Sequence, residues 1–231
     1  MAFWRLKDRD LREREWRAFA GAFELEPAPA LAETLREDLD LGPGAIATVY
    51  ERARPDQPDT VVFEQANDRD GPAGTLTGLR IGVVVRSSVE HSSVSLRASA
   101  RRHKILEGLV AGRSGAQRLD GAFDPEFDAA VSVYAREVDQ ATALLTRPVR
   151  TVLARLLGEA DEVVASATAS HAKGSVPRHA NGAPPSVAIG PLNLYLALEV
   201  GVPFELDALG LLMADLLSLH AALLSASGKG R

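Results

Sequence analysis

The sequence predicts an α+β fold, with a helical N-terminal arm, a mostly antiparallel sheet, helices on one face of that sheet and a Leu-rich C-terminal helix. Two observations carry this expectation. Apolar residues recur at helical spacing near both ends of the chain but alternate with polar ones through its middle. Glycine and proline breakers, above all Gly42-Pro43-Gly44, separate the two textures.

The first expected helix covers residues 7–24. Trp16, Phe19 and Phe23 recur at i, i+3 and i+7, while Arg9, Arg12, Glu13 and Arg14 make a polar face. A short second helix over 31–39 has Leu31, Leu35 and Leu39 at four-residue spacing before the breaker stops it. Alternation at 45–53 and the apolar run at 60–65, joined across Pro55-Asp56-Gln57-Pro58-Asp59, predict a hairpin. Further strands are expected at 79–86 and 92–98. Residues 127–137 suit helix or strand, and period-two valines favour a strand from 130 onward. A leucine stripe predicts a helix over 140–157, with a kink or restart at Pro148. Strands are expected at 162–168 and 193–198, flanking a Pro/Gly/Ala/Ser-rich loop over 170–186. The last helix spans 203–225. This divides the chain into an arm over 1–41 and a single α+β domain over 45–231.

Composition bounds the function. In 231 residues, 46% are hydrophobic and 25% charged, enough to bury a core and inconsistent with a collagen-like or wholly disordered chain. The absence of cysteine excludes a disulfide framework, a thiol nucleophile and Cys-ligated metal, and fits a reducing, cytoplasmic location. With 26 basic residues against 31 acidic, the net charge of −5 excludes a histone-like polyanion binder. The first residues turn charged at once, unlike a secretory signal. Residues 208–226 have the length of one bilayer span, but Asp215 near the middle and His220 oppose insertion. A buried or dimer-forming helix is the expectation there, and an integral membrane protein is not.

Three short blocks resemble motifs of an uncharacterised bacterial domain family. They are Asp124-Pro125-Glu126-Phe127, Val131-Ser132-Val133-Tyr134 and Ala141-Thr142-Ala143-Leu144-Leu145-Thr146, with a similar ending at Leu194-Tyr195-Leu196-Ala197-Leu198. The resemblance covers roughly the C-terminal half, departs from the pattern at Arg147, and implies a fold neighbourhood with no activity or site residue attached.

No catalytic residue, metal site or cofactor is expected. The chain has no phosphate-binding glycine loop, no nucleophile elbow and no close histidine pair among His91, His103, His171, His179 and His220. Acids such as Asp124, Glu126 and Asp128 suit helix starts better than catalysis. One segment departs from the average: residues 86–118 hold seven basic residues against two acidic, a local charge of +5. Arg97, Arg101, Arg102, Lys104 and Arg113 are therefore the candidate anion-binding residues. Trp16, Phe19, Phe23, Leu212, Leu216, Leu219 and Leu223 are the candidate interface, because two apolar helical faces invite a partner. The expected function is that of a non-catalytic cytoplasmic protein acting by protein–protein interaction or self-association. The alternative is binding of nucleic acid or another polyanion through residues 86–118.

Overall fold

The computed structural model describes residues 6–42, 44–55, 57–71, 74–101, 115–119, 121–171, 184–200 and 206–228. Its strands are β1 (Glu26–Pro27), β2 (Ile46–Arg54), β3 (Gln57–Gly71), β4 (Gly74–Arg86), β5 (Leu96–Ala100), β6 (Gln117–Arg118), β7 (Val131–Ala135), β8 (Ser186–Ile189) and β9 (Asn193–Val200). They form one sheet in the order β1-β2-β3-β4-β9-β8-β5-β7-β6, with every pair antiparallel. The described helices are α1 (Leu6–Ala22), α2 (Ala32–Asp38), α3 (Pro125–Ala130), α4 (Val138–Leu144), α5 (Arg147–His171) and α6 (Asp207–Ala226). The fold is α+β.

Successive strand residues point to opposite faces, and β4 shows what this does. Leu79, Ile81, Val83 and Val85 join the main core, whereas Val84 joins a second, smaller one. Over the main face lie α1, through Trp16 and Phe19, and the pair α5–α6, with α3 and α4 adding Phe127 and Ala141. The second core sets Leu35 of α2 and Leu41 over Val49, Val61, Phe63 and Val84. Five of the six described helices thus share one face, and α2 lies on the other. The described part of the N-terminal segment contributes to both cores.

A charge anchors α1. Glu64 on β3 is buried and accepts hydrogen bonds from Arg12 Nε (2.9 Å), a terminal guanidinium nitrogen of Arg12 (2.7 Å) and Trp16 Nε1 (3.1 Å). Trp16 also stacks on Tyr50 of β2, with ring centroids 6.1 Å apart. Three donors on one carboxylate oxygen offset the cost of taking Glu64 out of water. Two glycines permit close approaches elsewhere. A Cβ on Gly82 would lie 2.2 Å from the Phe63 ring, and one on Gly210 would lie 2.1 Å from the Phe23 ring. Phe23, just past α1, therefore seats in a notch at the start of α6.

The sequence expectations for β2, β3, β4, β7 and β9 match strands to within a few residues, except that β3 and β4 run on into a longer hairpin. Pro148 does mark a restart: α4 ends at Leu144 and α5 begins at Arg147, with the proline in its first turn, where no helical N–H is lost. Three expectations need correction. Residues 162–168 are the last part of α5, because Leu153, Leu156, Leu157, Ala160, Val164 and Ala167 continue one helical stripe through the valines. Residues 92–95 precede β5 in a turn closed by Ser92, whose hydroxyl donates to Val94 O and accepts from Val94 N. Strand β8 was not expected at all. Of the loop over 170–186, residues 172–183 lie outside the described residues.

Two substitutions test this packing. Glu64→Gln removes the buried counter-charge of Arg12, leaving its pair with the exposed Glu15, and is expected to lower unfolding free energy by about 3 kcal/mol, whereas Arg12→Met with Glu64→Leu recovers much of that loss. Urea titration reads both. Gly82→Ala forces a methyl into the buried Phe63 ring and is expected to cost about 1–3 kcal/mol, seen as a lower Tm by calorimetry.

Candidate functional site

On the face opposite the main core, α2 packs over β2, β3 and β4, and its C-terminal end, Asp38 and Leu39, borders what lies beyond. Beyond it the sheet carries a cleft of about 690 Å³, within the size range of small-molecule sites. Strand pairing sets its floor. Tyr134 on β7 lies opposite Arg97 on β5, Arg97 opposite Ala188 on β8, and Ala188 opposite Tyr195 on β9. These four residues form a row across four strands, all facing away from the leucines and valines of the main core. Asn193 and Gly190 continue the floor toward the β8–β9 turn, and Ser93, Val94 and Ser95 form a wall before β5.

The middle of the floor is low because β8 presents only small residues there. Ser186, Ala188 and Gly190 occupy alternate positions, so the strand forms a trough between Arg97 and Tyr195. Arg97 is exposed and donates to Ser186 Oγ at 2.9 Å. Among the described residues it makes no ion pair. The Tyr195 ring stacks on Phe63 with centroids 6.0 Å apart. Its hydroxyl is shut off from solvent and meets no hydrogen-bond partner among the described residues. Burial pushes the Tyr195 pKa up to about 12, against the opposing pull of Arg80 and Arg97. It therefore stays a proton donor at neutral pH. Asp38, Arg136 and Glu137 stand at the rim, exposed.

The sequence-predicted residues distribute unevenly around this site. Arg97 belongs to it. Arg101 lies just past β5 and donates to the Asp128 carbonyl. Arg102, Lys104 and Arg113 lie outside the described residues. Trp16, Phe19, Leu212, Leu216, Leu219 and Leu223 are buried in the main core, and Phe23 packs against it. Sequence reasoning missed Tyr195, Tyr134 and Asn193. Leu194, Leu196 and Leu198 at period two already placed Tyr195 on the opposite face, but nothing local said which residues would be its neighbours.

Two other polar features have structural roles. Asp124 caps α3, accepting from Phe127 N at 3.0 Å, and this hydrogen bond, with the paired Arg150, holds its carboxyl below the usual range. Asp215 pairs with Arg155 at 2.6 Å, joining α6 to α5. Desolvation and the neighbouring Asp215 raise the pKa of Glu159 beside this pair. His220 of α6 is buried edge-on against the buried His91, with centroids 5.2 Å apart. Among the described residues no three His, Asp or Glu side chains converge as a metal site. No family model matches this chain, and neither does a curated protein or a solved structure.

Burial lowers the His220 pKa, since nothing but desolvation acts on it. The unfolded chain then binds the proton more readily than the folded one. Stability is expected to be level above about pH 6.5, the unperturbed histidine value, and to fall as pH drops through the lowered folded value. Urea titrations between pH 7.5 and 5.5 check this, and His220→Leu should flatten the acid limb.

Proposed function

We propose that this is a non-catalytic cytoplasmic protein that works by binding a small, partly apolar molecule in the cleft on the second sheet face. The observation that carries the reading is a cleft of ligand size whose floor holds the small residues Ala188 and Gly190 beside Arg97, which makes no ion pair among the described residues. Binding without catalysis is supported by the lining. Its carboxylates, Asp38 and Glu137, are exposed, away from the burial that tunes a general acid or base.

Partner capture through the aromatic face of α1 or the leucine face of α6 draws less support, because those side chains already serve the core of this chain. The same packing supports a soluble protein: α6 is apolar enough to span a bilayer by composition, yet Leu209, Leu212, Leu216, Leu219 and Leu223 are buried in the main core, with Leu211 left exposed. A polyanion site over 86–118 needs several phosphate contacts at once, and of the described cations in that segment Arg97 is the one that lines the cleft. Its exposure supports contact with a single charged group.

Two-dimensional NMR of the full chain against a library of small neutral and charged fragments tests the reading. Hits should shift the amides of Ala188, Gly190, Asn193 and Tyr195 as a group. Ala188→Leu, which fills the trough, should abolish those shifts while leaving Tm within a few degrees. Hits that map elsewhere, or shifts that survive Ala188→Leu, would overturn it.

A further inference from the structure

We propose that His91 and His220 form an acid-sensitive latch, which opens when His220 takes up a proton and frees the β4–β5 connection, residues 87–95, from α6. The two rings belong to different parts of the fold. His220 lies on the inner face of α6, four residues after Leu216 and three before Leu223, both of which are in the main core. His91 lies in the middle of the connection. Both are buried, and their rings meet nearly at right angles, with 82° between planes.

This contact has no place for a charge. Nε2 of His220 is buried with no hydrogen-bond partner among the described residues. A neutral imidazole carries one N–H, whereas a protonated one carries an N–H on each nitrogen and needs an acceptor for both. An unmet donor on a charged ring costs more than one on a neutral ring. Charged neighbours do not offset that cost. Glu90 precedes His91 and is exposed. Asp215 lies about 140° round α6 from His220, and it pairs with Arg155 of α5. Glu159 of α5 stands beside that pair. None of these acts on His220, whose pKa is lowered by desolvation alone. The titratable group that faces it is His91, and a second proton there would set like charges in contact.

The weaker anchor decides which side gives way. Leu209, Leu212, Leu216, Leu219 and Leu223 fix α6 in the main core. The connection is tied to the β8–β9 turn by Ser87 N, which donates to Leu192 O, and by His91 N, which donates to Pro191 O. Its own serines close its turns, Ser87 with Val89 and Ser92 with Val94. Val94 is its apolar side chain in the main core. Ser93 and Ser95, on either side of Val94, are exposed and border the cleft. Release of His91 therefore loosens that wall, so that a proton taken up beneath α6 is felt on the opposite face of the sheet. The closed form is fully favoured above about pH 6.5. Opening gains ground as the pH falls toward the lowered folded value, because the open form binds the proton more readily.

Amide hydrogen exchange of the full chain, followed by NMR at pH 7.5 and 5.5 and expressed as protection factors, tests the latch. The amides of His91 and Val94 are expected to be less protected than that of Leu196, and to exchange through an opening that sub-denaturing urea does not promote. Their protection should fall about five- to tenfold over that pH interval, and His220→Leu should abolish the fall. Exchange at His91 and Val94 that matches Leu196 at both pH values would overturn the latch in favour of global unfolding. A fall that survives His220→Leu would overturn it too. If that variant does not fold, ring titration of the unaltered chain decides: His220 should titrate below its ordinary value, in step with the loss of protection at His91 and Val94. Titration at or above the ordinary value, or out of step with that loss, overturns the proposal.

Discussion

An apolar sheet face has to be covered, and in this molecule the supply of covering side chains decides the rest. The main face is mostly apolar across its width, from Tyr50 and Val62 through Ile81 and Leu196 to Ala98 and Val133, with Glu64 as its buried charge. It takes α1, α5 and α6 together to cover it. The opposite face is divided. Over β2, β3 and β4 it bears Val49, Val61, Phe63 and Val84, and α2 covers them. Over β8, β5 and β7 it bears Ser186, Ala188, Arg97, Ser99, Ser132 and Tyr134. Ser186, Ser99, Ser132 and Tyr134 are buried all the same, while Arg97 is exposed and Ala188 half-buried, and the cleft lies where the apolar alternation of the second face gives out.

Charged pairs then fix which elements meet. Arg12 with Glu64, Arg80 with Glu199 and Arg155 with Asp215 each join segments distant in the sequence. The first two are buried or nearly so. Buried pairs of this kind add little net stability but penalise any arrangement that separates the partners. Arg97 stands apart from this scheme. It sits on the same sheet face as Arg80, yet it meets a serine hydroxyl rather than a carboxylate.

Much of the fold was legible because period two and period 3.6 are local properties. The alternation of 79–86 and the leucines of 203–225 needed only their own residues to be read. The errors arose where a local cue was overruled by packing. Val163 and Val164 favour a strand in isolation, but the stripe running from Leu153 to Ala167 carries the helix through them. Strand β8 is four residues long and begins beside a proline-rich stretch, too short for its alternation to stand out. The cleft was hardly legible at all. Its floor draws on β7, β5, β8 and β9, whose neighbour relations follow from strand order, and strand order is not written in any one segment. Arg97 was found through local charge; Tyr195, a lone tyrosine among leucines, gave no such signal.

The position of the β8–β9 hairpin has a consequence for how the chain assembles. It stands between β4 and β5, so it is the sole bridge between the meander β1–β4 and the group β5, β7 and β6. Those two groups can form from nearby residues, but Arg80 and Glu199, which meet across the join, are 119 residues apart. Closing so long a loop before any contact rewards it makes the insertion of β9 a slow event relative to hairpin formation. Until it happens, β4 and β5 each present an unpaired, valine- or alanine-rich edge to other chains. The strand that completes the cleft is thus also the one whose late arrival leaves the half-built sheet most open to aggregation.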